Sequence, residues 1–239
     1  MEHALLAETL SDGLRLPRPP IALAFVDTPP DGIAEFSGEV PSACTFWIRA
    51  ESGVFHASAQ AHHNCPVGAM TMGFEMSEAL ESNLMQVVGM MVGDGYIAPD
   101  EPPSIPRDER PKSGVVYGPL AQFPVRPDVI LMWLLPEQAM VYNEAAGSAR
   151  WVTDMPATQF GRPTCAAIPA AIEQGRPTLS LGCIGMRTFT GIPGELMLAA
   201  VPGAQADRFV DALHDTLRAN REMEAFYRGQ QERFAAAPS

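Results

Sequence analysis

Residues 44–68 read CTFWIRAESGVFHASAQAHHNCPVG, and a shortened version of the same pattern returns at residues 165–185 as CAAIPAAIEQGRPTLSLGCIG. Each stretch opens on a cysteine, Cys44 or Cys165. Each has alanine six positions on, at Ala50 and Ala171, and glycine nine or ten positions on, at Gly53 and Gly175. Each then runs to a second cysteine, Cys65 or Cys183, with a glycine close behind, Gly68 or Gly185. The four cysteines therefore occupy two equivalent settings.

The likeness extends upstream. Pro20 and Pro29 bracket the apolar run IALAFV at residues 21–26, and Pro127 and Pro136 bracket DVILMWLL at residues 128–135 with the same separation. Short continuous apolar runs between prolines read as buried strands. The segments from strand to first cysteine differ in length, as loop insertions do. This predicts an internal duplication: two strand–loop–Cys–strand–Cys–Gly units, over about residues 17–92 and 125–203, packed about a pseudo-twofold axis in one compact α+β domain. Such packing sets the two cysteine turns at a shared interface, where pockets form.

The remaining pattern fills in around that frame. Residues 4–15 predict a short amphipathic helix with Leu5, Leu6 and Leu10 on one side. Cys44–Glu51 suits a helix or a strand, Val54–Ala61 a strand, and His62–Gly68 a turn whose Pro66 can open a helix running through Met76. Ser77 caps a helix to Val92 with Leu80, Leu84, Val87, Val88 and Met91 on one face. Residues 93–126 are rich in proline and glycine and too long for an ordinary connection, so they wrap the surface or separate the halves, with Val115 and Val116 as a short strand. Residues 137–144 suit a helix or an extended crossover, 150–160 a loop with strand character, 177–181 a strand, 182–187 a turn, and 195–201 a strand. A long charged helix follows at 204–234, with Phe209, Leu213, Leu217 and Phe226 as its stripe.

The 239 residues carry a net charge of -12, which argues against nucleic acid and anionic membrane surfaces as partners. The start MEHALLAETLSDGL has neither a cationic opening nor an apolar centre, so it does not read as a secretory signal. The longest apolar run is too short to span a bilayer. These features place the chain in the cytoplasm, where disulfides are rare. Four cysteines there are buried thiols, metal ligands or reactive thiols.

At these residues the chain resembles a known family. PPIALAF, then Cys44 with Ala50 and Gly53, then CPVGA at Cys65, PDVILM, RPTC at Cys165, LGCIGMR at Cys183 and IPGE follow in order. That series is similar to the DUF169 family of bacterial and archaeal proteins, over about residues 15–225. The resemblance implies the architecture and maps motif positions onto Cys44, Cys65, Gly68, Cys165, Cys183, Gly185 and Arg187. It implies no activity.

The chemistry must come from the residues. Four thiolates suit a tetrahedral zinc ion or an iron–sulfur cluster. Here Cys44 and Cys65 have twenty residues between them, and Cys165 and Cys183 seventeen, so the fold has to bring the sulfurs together. His62 and His63 share the Cys65 turn and could add imidazole ligands. Gly68 and Gly185 would let backbone approach a cofactor. The plain alternative is that duplicated cysteines are duplicated core positions, with His62 and His63 solvated on a turn and His56 a satisfied core or surface residue. A third reading makes Cys65 a nucleophile activated by its neighbours. A fourth gives Gly182–Arg187 an anion-binding turn with Arg187 as its fork, the plain alternative being a tight turn with a surface arginine. Met70, Met72, Met76, Met85, Met90 and Met91 suit an adaptable core or the wall of an apolar pocket. The preferred reading is a cleft between the repeats holding an iron–sulfur cluster or zinc on some of the four cysteines, in a redox or accessory role with a small molecule or redox partner. Its alternatives are a non-catalytic small-molecule-binding or structural protein with buried thiols, and a cysteine-dependent enzyme.

Overall fold

A computed structural model describes residues 1–110, 112–147, 159–160 and 162–235. Seven strands form one sheet: β1 (Ile21–Val26), β2 (Phe55–Ser58), β3 (Gly114–Pro119), β4 (Val129–Leu134), β5 (Gln159–Phe160), β6 (Thr178–Ser180) and β7 (Met197–Pro202). Their order across the sheet is β2-β3-β1-β4-β7-β6-β5. Six strands pair antiparallel, and β5 joins β6 parallel at the edge.

Helices cover both faces, which explains the unbroken apolar runs. Strand side chains alternate between faces, so a strand covered on both sides needs apolar residues throughout. Ile21 and Leu23 of β1 join one core and Ala22 and Ala24 the other. In β4, Val129, Leu131 and Trp133 face the first core, and Ile130, Met132 and Leu134 the second.

The second core lies under α1 (His3–Leu14), α5 (Pro136–Ala145) and α8 (Ala206–Ala235). Leu6, Leu10 and Leu14 of α1 are spaced by four, so they stack on one helical face and bury together. Leu5 points outward instead. Tyr142 of α5 is fully buried, with its hydroxyl 2.9 Å from the Thr178 carbonyl and 3.0 Å from that of Ala200. Phe209, Val210 and Leu213 anchor α8. Leu217 is half-buried and Phe226 exposed, so the apolar stripe meets the domain along the first part of the helix only.

The first core lies under α2 (Thr45–Arg49), α3 (Pro66–Thr71), α6 (Ala167–Gln174) and α7 (Ile184–Thr190), with α4 (Glu78–Gly93) outermost, packed on α3. The expected turns at 62–68 and 182–187 are thus the starts of helices. α3 stops at Thr71, short of Met76, because Gly73 adopts φ +72°. A Cβ there would lie 1.6 Å from the Asp108 carbonyl oxygen, so the chain passes too closely for any other residue. Asp108 fixes that approach: its carboxylate pairs with Lys112 at 3.2 Å and with Arg110 at 2.7 Å, and Lys112 also donates to the Met72 carbonyl at 2.9 Å. The strand expected at Val115 and Val116 is longer and more central than its sequence suggests. β3 is buried along its whole length between β2 and β1. Most of the loop expected at 150–160 falls outside the described residues.

Candidate functional site

The hydroxyl residue in front of each first cysteine sits at the same kind of place: Pro41-Ser42-Ala43-Cys44 leads into α2, and Pro163-Thr164-Cys165 into a short turn and then α6. Each second cysteine stands immediately before a short helix, Cys65 before α3 and Cys183 before α7. The helices then cross. α2 packs on α7, and α3 packs on the turn Thr164–Ala166. The segment after Cys44 thereby meets the one after Cys183, and the segment after Cys65 meets the one holding Cys165.

The result is a cavity of about 840 Å³ whose wall includes Cys44, Cys65, Cys165 and Cys183. Cys44 and Cys165 are 5% and 4% exposed, whereas Cys65 and Cys183 are half-buried. Burial pushes the Cys44 thiol well up, and neighbouring Cys165, Cys65 and Cys183 add to it. Burial likewise raises Cys165, with Cys65 and Cys183 contributing. Both stay protonated at neutral pH, because a lone thiolate there would lack solvation. Cys183 Sγ accepts the Met186 N–H at 3.4 Å, and Ser42 Oγ lies 3.9 Å from Cys65 Sγ. The Thr164 hydroxyl, on the same wall, is buried with no hydrogen-bond partner. Among the described residues no three His, Cys, Asp or Glu side chains are grouped so as to hold one metal ion.

The histidines go elsewhere. His62 is fully buried in an aromatic nest of Phe46, Phe74 and Tyr117. Its Nδ1 lies 2.8 Å from the Ser58 carbonyl and its Nε2 3.0 Å from the Tyr117 hydroxyl, so both nitrogens are engaged away from the cavity. Burial lowers its pKa to about 4. His63 is half-buried and lies outside the cavity wall. Among the described residues that wall contains no histidine, so Cys65 has no imidazole base beside it there. His56 is buried, but neither ring nitrogen has a partner, in contrast to the satisfied residue its strand position suggested.

Two other motif residues hold the turns together. A Cβ at Gly68 would sit 2.8 Å from the Ala43 Cβ and 3.0 Å from Cys65 Sγ, so this glycine serves the packing of α3 on the Cys44 segment. Arg187 donates to the carbonyls of Leu181, Pro193 and Leu196 at 2.7, 2.9 and 3.1 Å. Its guanidinium thus ties the chain entering α7 to the chain leaving it, rather than standing free as an anion fork. Gly185 does line the cavity, with open space where its Cβ would be.

Residues 9–212 match the model of DUF169, a family of uncharacterised ArCR proteins. The chain belongs to the DUF169 family. No curated protein and no solved structure matches it. Among the described residues of this DUF169 protein, no helix is long and apolar enough to cross a membrane.

Sequence reasoning passed over Ser42 and Thr164. The signal was present: in both stretches a proline precedes a hydroxyl residue that sits one or two places before the cysteine.

Proposed function

We propose that the DUF169 chain is a doubled unit whose four cysteines together hold an iron–sulfur cluster, in a redox or accessory role. The observation that carries this reading is that every cysteine of the chain, from four separate segments, lines one cavity.

Several features support the doubling. From the middle of the sheet outward, the order is β1, β3, β2 on one side and β4, β7, β6 on the other. β1 and β4 pair antiparallel, as neighbours across a twofold axis must. β3 ends in Pro119-Leu120-Ala121-Gln122 and β7 in Pro202-Gly203-Ala204-Gln205, each closing in a single short helical turn. The crossed packing of α2 on α7 and of α3 on the Cys165 turn is the pairing such an axis would generate.

The side chains favour a cluster over one zinc ion. Zn–S bonds are about 2.3 Å, so a single ion needs its thiolates nearly in contact. The grouping for that is missing among the described residues. A cluster places several irons and bridging sulfides between its ligands and so reaches thiols set further apart. Bound iron would also offset the cost of deprotonating Cys44 and Cys165, since a coordinating thiol is held as thiolate. The Met186 N–H on Cys183 is the kind of contact that tunes a cluster's potential. The unpartnered Thr164 hydroxyl has a natural acceptor in a cluster sulfide or a thiolate.

Anaerobic reconstitution with iron and sulfide tests the proposal. The expected product is brown, carries iron and acid-labile sulfide, and bleaches on reduction, and Cys165→Ser loses these properties while remaining folded. A chain that stays colourless and metal-free, or a Cys165→Ser variant that incorporates iron as the parent does, would overturn it.

A further inference from the structure

α4 is an amphipathic helix with little protein beneath it. Only Leu80 and Leu84 are buried, although Val87, Val88 and Met91 lie on the same side and line the cavity. Across the space, α7 presents Ile184 and Phe189, which are 66% and 48% exposed. Two apolar walls thus face each other without meeting. Exposed apolar surface of this kind, in a concave setting, marks a binding site.

The size of the cavity points the same way. About 840 Å³ is far more than four thiols and an inorganic group occupy. It lies within the range of about 300–1,000 Å³ typical of small-molecule sites. The charged residues on its wall, among those described, are Asp94, Glu101 and Arg162. Arg162 pairs with Glu101 at 3.5 Å and lies 4.8 Å from the centre of the Tyr96 ring. The cation is therefore already matched, and the lining offers no cluster of donors for a phosphate or a polycarboxylate.

We infer that the compartment between α4 and α7 binds an uncharged, predominantly apolar organic molecule, held against the thiol wall. This deepens the cluster reading, because the molecule would be the neighbour on which the sulfur-bound group acts, but the side chains of α4 and α7 that bind it are not the cysteines. The occupant is a small molecule rather than a second chain, because the space is a concave cleft of that volume lined by α4, the 94–105 segment and α7, not an extended flat face.

The test uses the full chain free of metal, titrated with the uncharged dye Nile red. The expected result is a saturable rise in fluorescence at one dye per chain, with the protein's mass in solution unchanged. Val88→Glu and Ile184→Glu, one from each wall, are each expected to weaken binding at least about tenfold, since either places a carboxylate in an apolar space. Met85→Glu, on the outward side of α4 at 67% exposure, is expected to bind as the parent does. Absence of saturable binding, binding by either wall variant as tight as the parent's, or dye uptake only on dimerisation would overturn the inference. Because metal is absent throughout, failure here leaves the cluster test standing, and failure to reconstitute a cluster leaves this one standing.

Discussion

The two faces of the sheet are built from the same strands and differ in what lies on them. On the face under α1, α5 and α8, helices rest directly on the strands, and Leu6, Leu10, Tyr142, Phe209 and Leu213 fill the space between. On the other, α2, α3, α6 and α7 form a first layer with the four cysteines, and α4 stands beyond it across a cavity. The first face is core throughout. The second is core next to the strands and cavity further out, and its outer layer packs mainly on α3. If the cavity binds as proposed, stability and binding separate by face, which a set of substitutions can check.

The largest effect belongs to the closed face. Phe209→Ala should destabilise the chain by about 3–5 kcal/mol, because the ring leaves a cavity that the strands cannot close. Val88→Ala on the open face should cost about 1 kcal/mol or less, since Val88 is only half-buried and faces the cavity. Urea unfolding of both variants measures the difference. Equal losses would mean that α4 is core after all.

A smaller effect separates the faces by pH. His62 is held neutral on the thiol face, with a pKa of about 4 against an ordinary 6.5. Between those values the unfolded chain binds a proton that the folded chain refuses. Stability from this group is therefore complete above pH 6.5 and falls as the pH drops towards 4. At about 1.4 kcal/mol per pKa unit the loss approaches about 3 kcal/mol. Urea titrations across that range should show the decline, and His62→Gln should remove this component. An unchanged pH profile in His62→Gln would place the acid sensitivity elsewhere, for instance at His56, which burial also lowers.

What the chain discloses by inspection follows the same division. β1 and β4 were readable because prolines bound an unbroken apolar run, and Ser77 announced the start of α4 with its side chain accepting the Leu80 N–H at 3.3 Å. β3 was understated as a short strand because Gly114 and Gly118 flank its apolar residues and hide its length. Those glycines are needed: a Cβ at Gly118 would lie 2.7 Å from Val54 Cγ2, and one at Gly114 2.3 Å from His56 Nε2. The cysteines stood out from their repetition, and all four line the one cavity. Which side chains point at them was not, because His62 and Cys65 are only three residues apart yet the helical turn at Gln60–His62 rotates the imidazole into the aromatic nest. Adjacency in the chain is a poor guide where a tight turn intervenes. Contact of α2 with α7 and of α3 with the Thr164–Ala166 turn decides the wall instead.

The smallest effect tests how loosely α4 is attached. Ser77→Ala removes the cap and should cost about 1 kcal/mol. By itself that figure lowers global and local stability alike, because the cap is lost in both open forms. The informative quantity is how hydrogen exchange responds to urea, which scales with the surface exposed in the opening. Amides of α4 should exchange about fivefold faster in the variant, through an opening with a shallow urea dependence, because lifting this helix uncovers little beyond Leu80 and Leu84. Amides of β4 should show the steep dependence of complete unfolding. If α4 and β4 amides share one steep slope, the helix opens only when everything does, and the outer wall of the cavity is as firmly fixed as the closed face.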